Sequence, residues 1–348
     1  MKQIFTAILA VILTLTLLSA CKDNANQQNS SQNVSRTSSE NNTNSNTDDT
    51  QHYPVTIQTH NYAKEKIEQT FEKAPERVIC YSLNSVENMI ALGLEDRIVL
   101  AMGISKDEVL PEYQSAVDKI DRVQQEFIGK EEAIALQADF ILAWYSSFDD
   151  TRLGDVDFWQ ERGTNTYMAY NSGLGDQNLQ NEFDDILNLG KIFDVEEKAK
   201  ALVAQMQEKV KQAQAYVQGK DPVNVVILED EGDVFRIYGE DTIGGDIAVQ
   251  VGANLVAKTR KEKKSAEELV QLNPEMIFAI HFGENSESLN DKNCMDVFQH
   301  NPVYQNIDAV KNQKMYPTDL SLVYCPGVRV GVAIDFFLEH LYPDLTIG

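Results

Sequence analysis

Glu131-Glu-Ala-Ile-Ala-Leu-Gln-Ala-Asp-Phe-Ile-Leu-Ala-Trp-Tyr145 and Glu267-Glu-Leu-Val-Gln-Leu-Asn-Pro-Glu-Met-Ile-Phe-Ala-Ile-His281 align without a gap, 136 residues apart throughout. Each reads as a short helix opened by two glutamates, a polar turn, and an apolar run of strand length. The bland alternative is a chance likeness between two ordinary helix-to-strand connections. A true repeat predicts two similar α/β lobes with mainly parallel sheets. Ligands of open parallel sheets sit at the carboxyl ends of strands, so paired lobes would enclose a cleft between those ends. Tyr145 and His281 then correspond, each just past its strand, and Glu131 and Glu267 correspond at the helix starts.

The surrounding chain fits this plan. A hairpin is expected over 54–72, with Val55, Ile57, Ile67 and Phe71 as its apolar positions. Strands are expected at Arg77–Tyr81, Ile98–Met102, Phe140–Trp144 and Asn165–Ala169. Ser82–Leu92 reads as a helix stopped by Gly93. Ala199, Leu202, Val203, Met206, Val210 and Ala213 recur at helical spacing in one long helix ending near Gly219. Further strands are expected at Val223–Leu228, Phe235–Tyr238, Met276–Ile280 and Lys314–Pro317, with a terminal helix after Gly327. The organisation is therefore an N-terminal lobe over 51–194, an interlobe helix over 195–219 and a C-terminal lobe over 220–348.

Residues 1–50 read differently. Lys2 precedes an apolar run from Ile4 to Leu18 that is short for a membrane span and matches a secretory signal over 1–20. Leu18-Ser-Ala-Cys21 resembles a bacterial lipobox, in which Cys21 is acylated; a plain anchor with an incidental cysteine is the alternative. Residues 21–50 are rich in Asn, Ser, Gln and Thr and read as a lipid-anchored disordered tether.

The chain has 348 residues, 30 Lys+Arg against 54 Asp+Glu and a formal net charge of −24. Such a surface argues against nucleic-acid binding. Four cysteines without CxxC spacing exclude a zinc ribbon, and histidines at 52, 60, 281, 300 and 340 form no HExxH helix. Ser82, Asp230 and His281 can be drawn as a triad, but no GxSxG elbow accompanies them, so no catalytic residue and no catalytic cofactor is expected.

Pro75-Glu-Arg-Val-Ile, Asn84-Ser-Val-Glu-Asn-Met-Ile-Ala-Leu-Gly-Leu-Glu-Asp-Arg-Ile-Val99, Ile243-Gly-Gly-Asp246 and Phe336-Phe-Leu-Glu-His-Leu-Tyr-Pro343 resemble the substrate-binding proteins of iron–siderophore, haem and cobalamin ABC importers. The resemblance runs from about residue 54 to the end. It implies two lobes joined by one long rigid helix, with small opening and closing. It implies an extracytoplasmic, lipid-anchored receptor that takes an iron complex, foremost a ferric siderophore, and works as a monomer with an ABC permease. Haem or cobalamin is the alternative cargo, and a surface adhesin or co-receptor the alternative of another class. It also implies that Glu131 and Glu267 engage arginines of the permease. Glu132 and Glu268 would substitute if the register slips by one, and favourable charge at a helix N-terminus is the plain alternative.

Strand-end positions supply the ligand candidates: Tyr81, Ser82, Met102, Trp144, Tyr145, Tyr170, Arg236, Tyr238, His281 and Tyr324, with Phe282 beside them. The set is aromatic and poor in cations, which suits a large flat or aromatic metal complex. Arg236 is the single candidate for an anionic group, and Arg329 reads as structural. A phenolate at Tyr145 and an imidazole at His281 would suit iron, directly or in haem, whereas a cleft-wall histidine is the bland reading. The methionine of haem-binding relatives has no counterpart in Gln124-Gln-Glu-Phe-Ile128. Cys80, Cys294 and Cys325 allow at most one disulfide.

Overall fold

The structure, a computed structural model, describes residues 52–283, 286 and 289–344. The signal sequence, Cys21 and the tether lie outside the described residues.

A hairpin of β1 (Val55–His60) and β2 (Lys66–Phe71) comes first. Its alternation buries Ile57, Thr59, Gln69 and Phe71 and leaves the intervening residues more accessible. The N-terminal lobe then forms β3 (Val78–Tyr81), β4 (Ile98–Met102), β5 (Val123–Gln124), β6 (Phe140–Trp144) and β7 (Asn165–Ala169). These strands are all parallel, in the order β5-β4-β3-β6-β7. The C-terminal lobe forms β8 (Val223–Asp230), β9 (Phe235–Ile237), β10 (Ala253–Leu255), β11 (Met276–His281) and β12 (Met315–Asp319). Its order is β10-β8-β11-β12, parallel, with β9 antiparallel on β8.

The two sheets share one wiring. β4-β3-β6-β7 and β10-β8-β11-β12 each place the second strand, then the first, third and fourth. The helices Lys130–Ala135 and Ala266–Leu272 keep the 136-residue offset, as do the starts of β6 and β11. The chain reverses direction across each sheet between the first and third strands, which is where such sheets open a crevice.

Both faces of each sheet are covered, so the strands are apolar throughout. Val78 and Cys80 face one core while Ile79 and Tyr81 face another, the period-2 alternation of a strand. One core is common to both lobes and includes Val86, Ile186, Val203, Val225, Phe278 and Ile334. The helix Glu196–Val217 runs through it for about 33 Å, burying Ala199, Val203, Met206 and Ala213. On one side it meets the helix Leu179–Ile192, where a side chain at Gly190 would strike Ala199; on the other, Lys209 pairs with Asp335 of the terminal helix Val330–Leu341.

Ile243-Gly-Gly-Asp246 has a packing cause. A Cβ at Gly245 would sit 1.9 Å from the Gly239 carbonyl oxygen, and one at Gly244 would strike Val323. Only glycine lets this helix start approach so closely. Asp246 then reaches the other lobe and accepts the Leu179 backbone N–H at 2.8 Å.

β5 and β10 were not anticipated; with two and three residues they are too short to carry a periodic signal.

Candidate ligand cleft

A cavity of about 350 Å³ lies at the carboxyl ends of both sheets. Ser82, Leu83 and Asn84 reach it just past β3, Gly103 just past β4 and Trp144 from the end of β6. From the other lobe come Phe282 and Gly283 after β11, Asp319 at the end of β12, and the segment carrying Tyr324, Cys325 and Pro326.

The wall is held by a compact network. The Trp144 indole N–H donates to Asn84 Oδ1 at 2.8 Å, and the Ser82 hydroxyl lies between that oxygen, at 3.0 Å, and the Tyr81 carbonyl. Trp144 and Tyr324 meet edge to face, 5.0 Å between ring centres. The Tyr324 hydroxyl donates to the Ser172 carbonyl at 2.7 Å, a bond from one lobe to the other, and burial raises its pKa so that it stays neutral. Phe282 is 40% exposed.

Arg329 lines the same cavity, yet its guanidinium is occupied. It grips Glu87 of the N-terminal lobe in a buried fork, with bonds of 2.7 and 2.8 Å. It also donates to the Glu108 carbonyl and, at 2.9 Å, to the Ser321 hydroxyl. Its structural reading thus needs an amendment: it is both a strut between the lobes and part of the wall.

Three of the ten expected ligand positions line this cavity: Ser82, Trp144 and Tyr324. Met102 has no exposure and is core. Tyr81 is buried, stacks on Phe127 at 4.5 Å and takes a hydrogen bond from Arg152. Tyr238 is buried with its hydroxyl donating to Glu229, and Arg236 pairs with that carboxylate at 3.7 Å. Tyr170 lines a separate cavity of about 240 Å³ beside His60.

Tyr145 and His281 do not meet over the cavity, and neither lines it. The hairpin turn covers Tyr145: Tyr62 stacks on it at 4.8 Å and the Lys64 ammonium sits 4.6 Å from its centre. The chain folds back at Gly283, whose N–H donates to His281 Nδ1 at 3.2 Å, and His281 is buried. Among the described residues no group of three or more His, Cys, Asp or Glu side chains could hold a metal ion. Cys80, Cys294 and Cys325 are free and buried, and burial raises each thiol, Cys294 to about 11. The Ser82 hydroxyl has the Tyr81 carbonyl and Asn84 Oδ1 as its partners, with no histidine among them in the described residues.

The sequence reading missed Gly103, Asp107, Glu108 and Asp319 as wall residues. Gly103 and Asp319 had a usable signal, since both stand at the ends of strands. Phe127, 55% exposed and packed where a Gly103 side chain would be, sits in the stretch searched only for a methionine.

Within each glutamate pair one member is occupied. Glu132 pairs with Arg122, and Glu268 closes a capping box with Ser265, which fixes it to its own helix start. Glu131 and Glu267 are exposed and stand in no ion pair among the described residues.

The likeness to known proteins extends along the chain. An ABC transporter substrate-binding lipoprotein of Bacillus subtilis (strain 168), YvrC, is 24% identical over 341 residues, 96% of each chain. The iron-uptake system-binding protein of the same organism is 24% identical over 139 residues, 38% of this chain and 43% of its own. A crystal structure of a periplasmic binding protein from Veillonella parvula DSM 2008 superposes with a TM-score of 0.74 at 32% identity, over 84% of this chain and 92% of that one. With the periplasmic binding protein family matching residues 78–321, over matched lobes that close on one cavity, the chain belongs to that family of solute-binding proteins, which are not enzymes.

Proposed function

We propose that the chain is an extracytoplasmic receptor, anchored by lipid at Cys21, that captures an iron complex and delivers it to an ABC permease. A ferric siderophore is the cargo we favour. Residues 1–20 would be removed as the signal and 21–50 would tether the lobes, which act as a monomer. The observation that carries the reading is the cavity itself: it sits where both sheets change direction, walled by aromatic side chains from two lobes of one wiring. The shared segment with an iron-uptake system-binding protein supports iron as the metal.

Delivery needs a docking face. Glu131 and Glu267 occupy equivalent helix starts and leave their carboxylates uncommitted, while Glu132 and Glu268 are engaged locally. Two such charges, one per lobe, would set orientation and association rate against basic residues of a permease. The double substitution Glu131→Lys/Glu267→Lys should abolish uptake of labelled iron complex by cells. Native mass spectrometry of protein purified from its host should find the same cargo retained by wild type and variant. Normal uptake by the variant would eliminate the docking role, and a cargo without metal would eliminate the iron reading.

A further inference from the structure

We propose that the cavity selects an uncharged or cationic metal complex over an anionic one, and that Asp107, Glu108 and Asp319 set this choice. The inference rests on the solute-binding reading above and narrows its cargo.

Three carboxylates line the cavity, against one cation, Arg329. That cation is already neutralised. Four of its five N–H donors are engaged by Glu87, Ser321 and the Glu108 backbone, and Glu87 itself has no exposure. No other Lys or Arg lines the cavity among the described residues. Outside the lining, Arg236 pairs with Glu229 and Lys106 reaches toward Asp118, while Arg152 and Arg260 spend a donor on neutral partners, Tyr81 and the Gly175 carbonyl, and keep their charge; Arg236 and Arg260 act on the Tyr324 phenol, against the larger effect of its burial. An anionic complex entering here would lose its hydration and meet, among the described residues of the lining, no cation free of a carboxylate partner.

Two of the carboxylates are held in place by backbone hydrogen bonds. Glu108 accepts the Ser105 backbone N–H at 2.8 Å, and Asp319 accepts that of Ser321 at 2.7 Å. The aromatic wall acts in the same direction independently. Ring faces carry negative charge and attract cations, and Trp144 is the strongest such face. Both features favour a complex whose outer surface is neutral or positive.

Equilibrium dialysis of the full chain, with iron as the readout, tests this. The probes are a ferric trihydroxamate bearing one pendant ammonium, a monocation, and a ferric tris-catecholate, a trianion. The monocation should be retained at least tenfold more tightly, and its affinity should fall as salt is raised. Asp107→Asn/Asp319→Asn should narrow the gap about tenfold; asparagine at 319 keeps an oxygen for the Ser321 N–H, so the wall is preserved. Equal or tighter retention of the trianion overturns charge selection while leaving the iron-cargo reading standing. A gap that the double variant leaves unchanged overturns the assignment to these carboxylates. Retention of neither complex overturns the iron-cargo reading and this inference with it.

Discussion

Ser82 holds a backbone conformation, φ 74° and ψ 165°, that belongs to glycine. A side chain held there costs about 1–3 kcal/mol. The residue stands directly after β3, at the cavity, and its hydroxyl shares Asn84 Oδ1 with the Trp144 indole. Strain at a ligand wall is retained when the side chain contributes something glycine cannot, and here that is the hydroxyl orienting Asn84 and so Trp144. Ser82→Gly should therefore raise stability by about 1 kcal/mol in chemical denaturation and weaken cargo binding. Ser82→Ala should weaken binding without any gain in stability. A glycine variant less stable than the alanine variant would contradict the strain argument.

The helix Leu179–Ile192 carries two buried acids toward the lobe junction. Asp185 accepts the Tyr167 hydroxyl and the Tyr170 N–H, and burial raises its pKa strongly. Glu182 accepts Asn171 and, from the other lobe, the Gly327 N–H, each at 2.7 Å. Burial raises Glu182 from 4.5 to about 7, against the pull of those two bonds. Between these values the folded state keeps a proton that the unfolded chain has released. Glu182 should then make stability fall as pH rises from about 4.5 to 7, by roughly 3 kcal/mol, and the raised Asp185 adds a decline of the same sign. His60, whose pKa burial lowers, contributes the opposite slope below its ordinary 6.5; comparison with a variant reports Glu182 together with the part of the Asp185 shift that Glu182 causes. Glu182→Gln starts less stable, because its amide turns a donor toward a donor, but its urea midpoints should decline less steeply between pH 4.5 and 7, the remaining slope being that of Asp185. An unchanged slope would remove Glu182 as the cause.

The two lobes share a core, and a buried ion pair crosses between them. Glu87 and Arg329 form that pair, with side chains 0% and 10% exposed. Arg329→Met leaves a carboxylate buried without its partner and should cost about 3–5 kcal/mol in urea unfolding. Glu87→Leu/Arg329→Met removes both charges and should recover part of that loss, although the Leu110 N–H, which Glu87 also holds, loses its acceptor. A double variant no better than the single would mean the pair contributes by shape alone. The crossing bonds from Tyr324 to Ser172 and from Leu179 to Asp246 brace the same junction. Movement of the lobes would have to repack these contacts, which favours small opening.

Local chemistry was sufficient for much of this molecule. Parallel strands buried on both faces must be apolar along their length, and bridging helices must show a 3.6-residue stripe, so the main strands, the helix Glu196–Val217 and the repeat at offset 136 were all legible. The cavity wall was legible only in part. Alternation assigns a side chain to a face within a strand, but that rule lapses where the strand ends, and there the following turn decides. Ser82 turns into the cavity through a positive φ, His281 is folded back by Gly283, and Met102 is sealed in the core. Asp107 and Arg329 reach the wall from segments more than two hundred residues apart. Their meeting, and with it the charge presented to the cargo, arises from the packing of one lobe on the other.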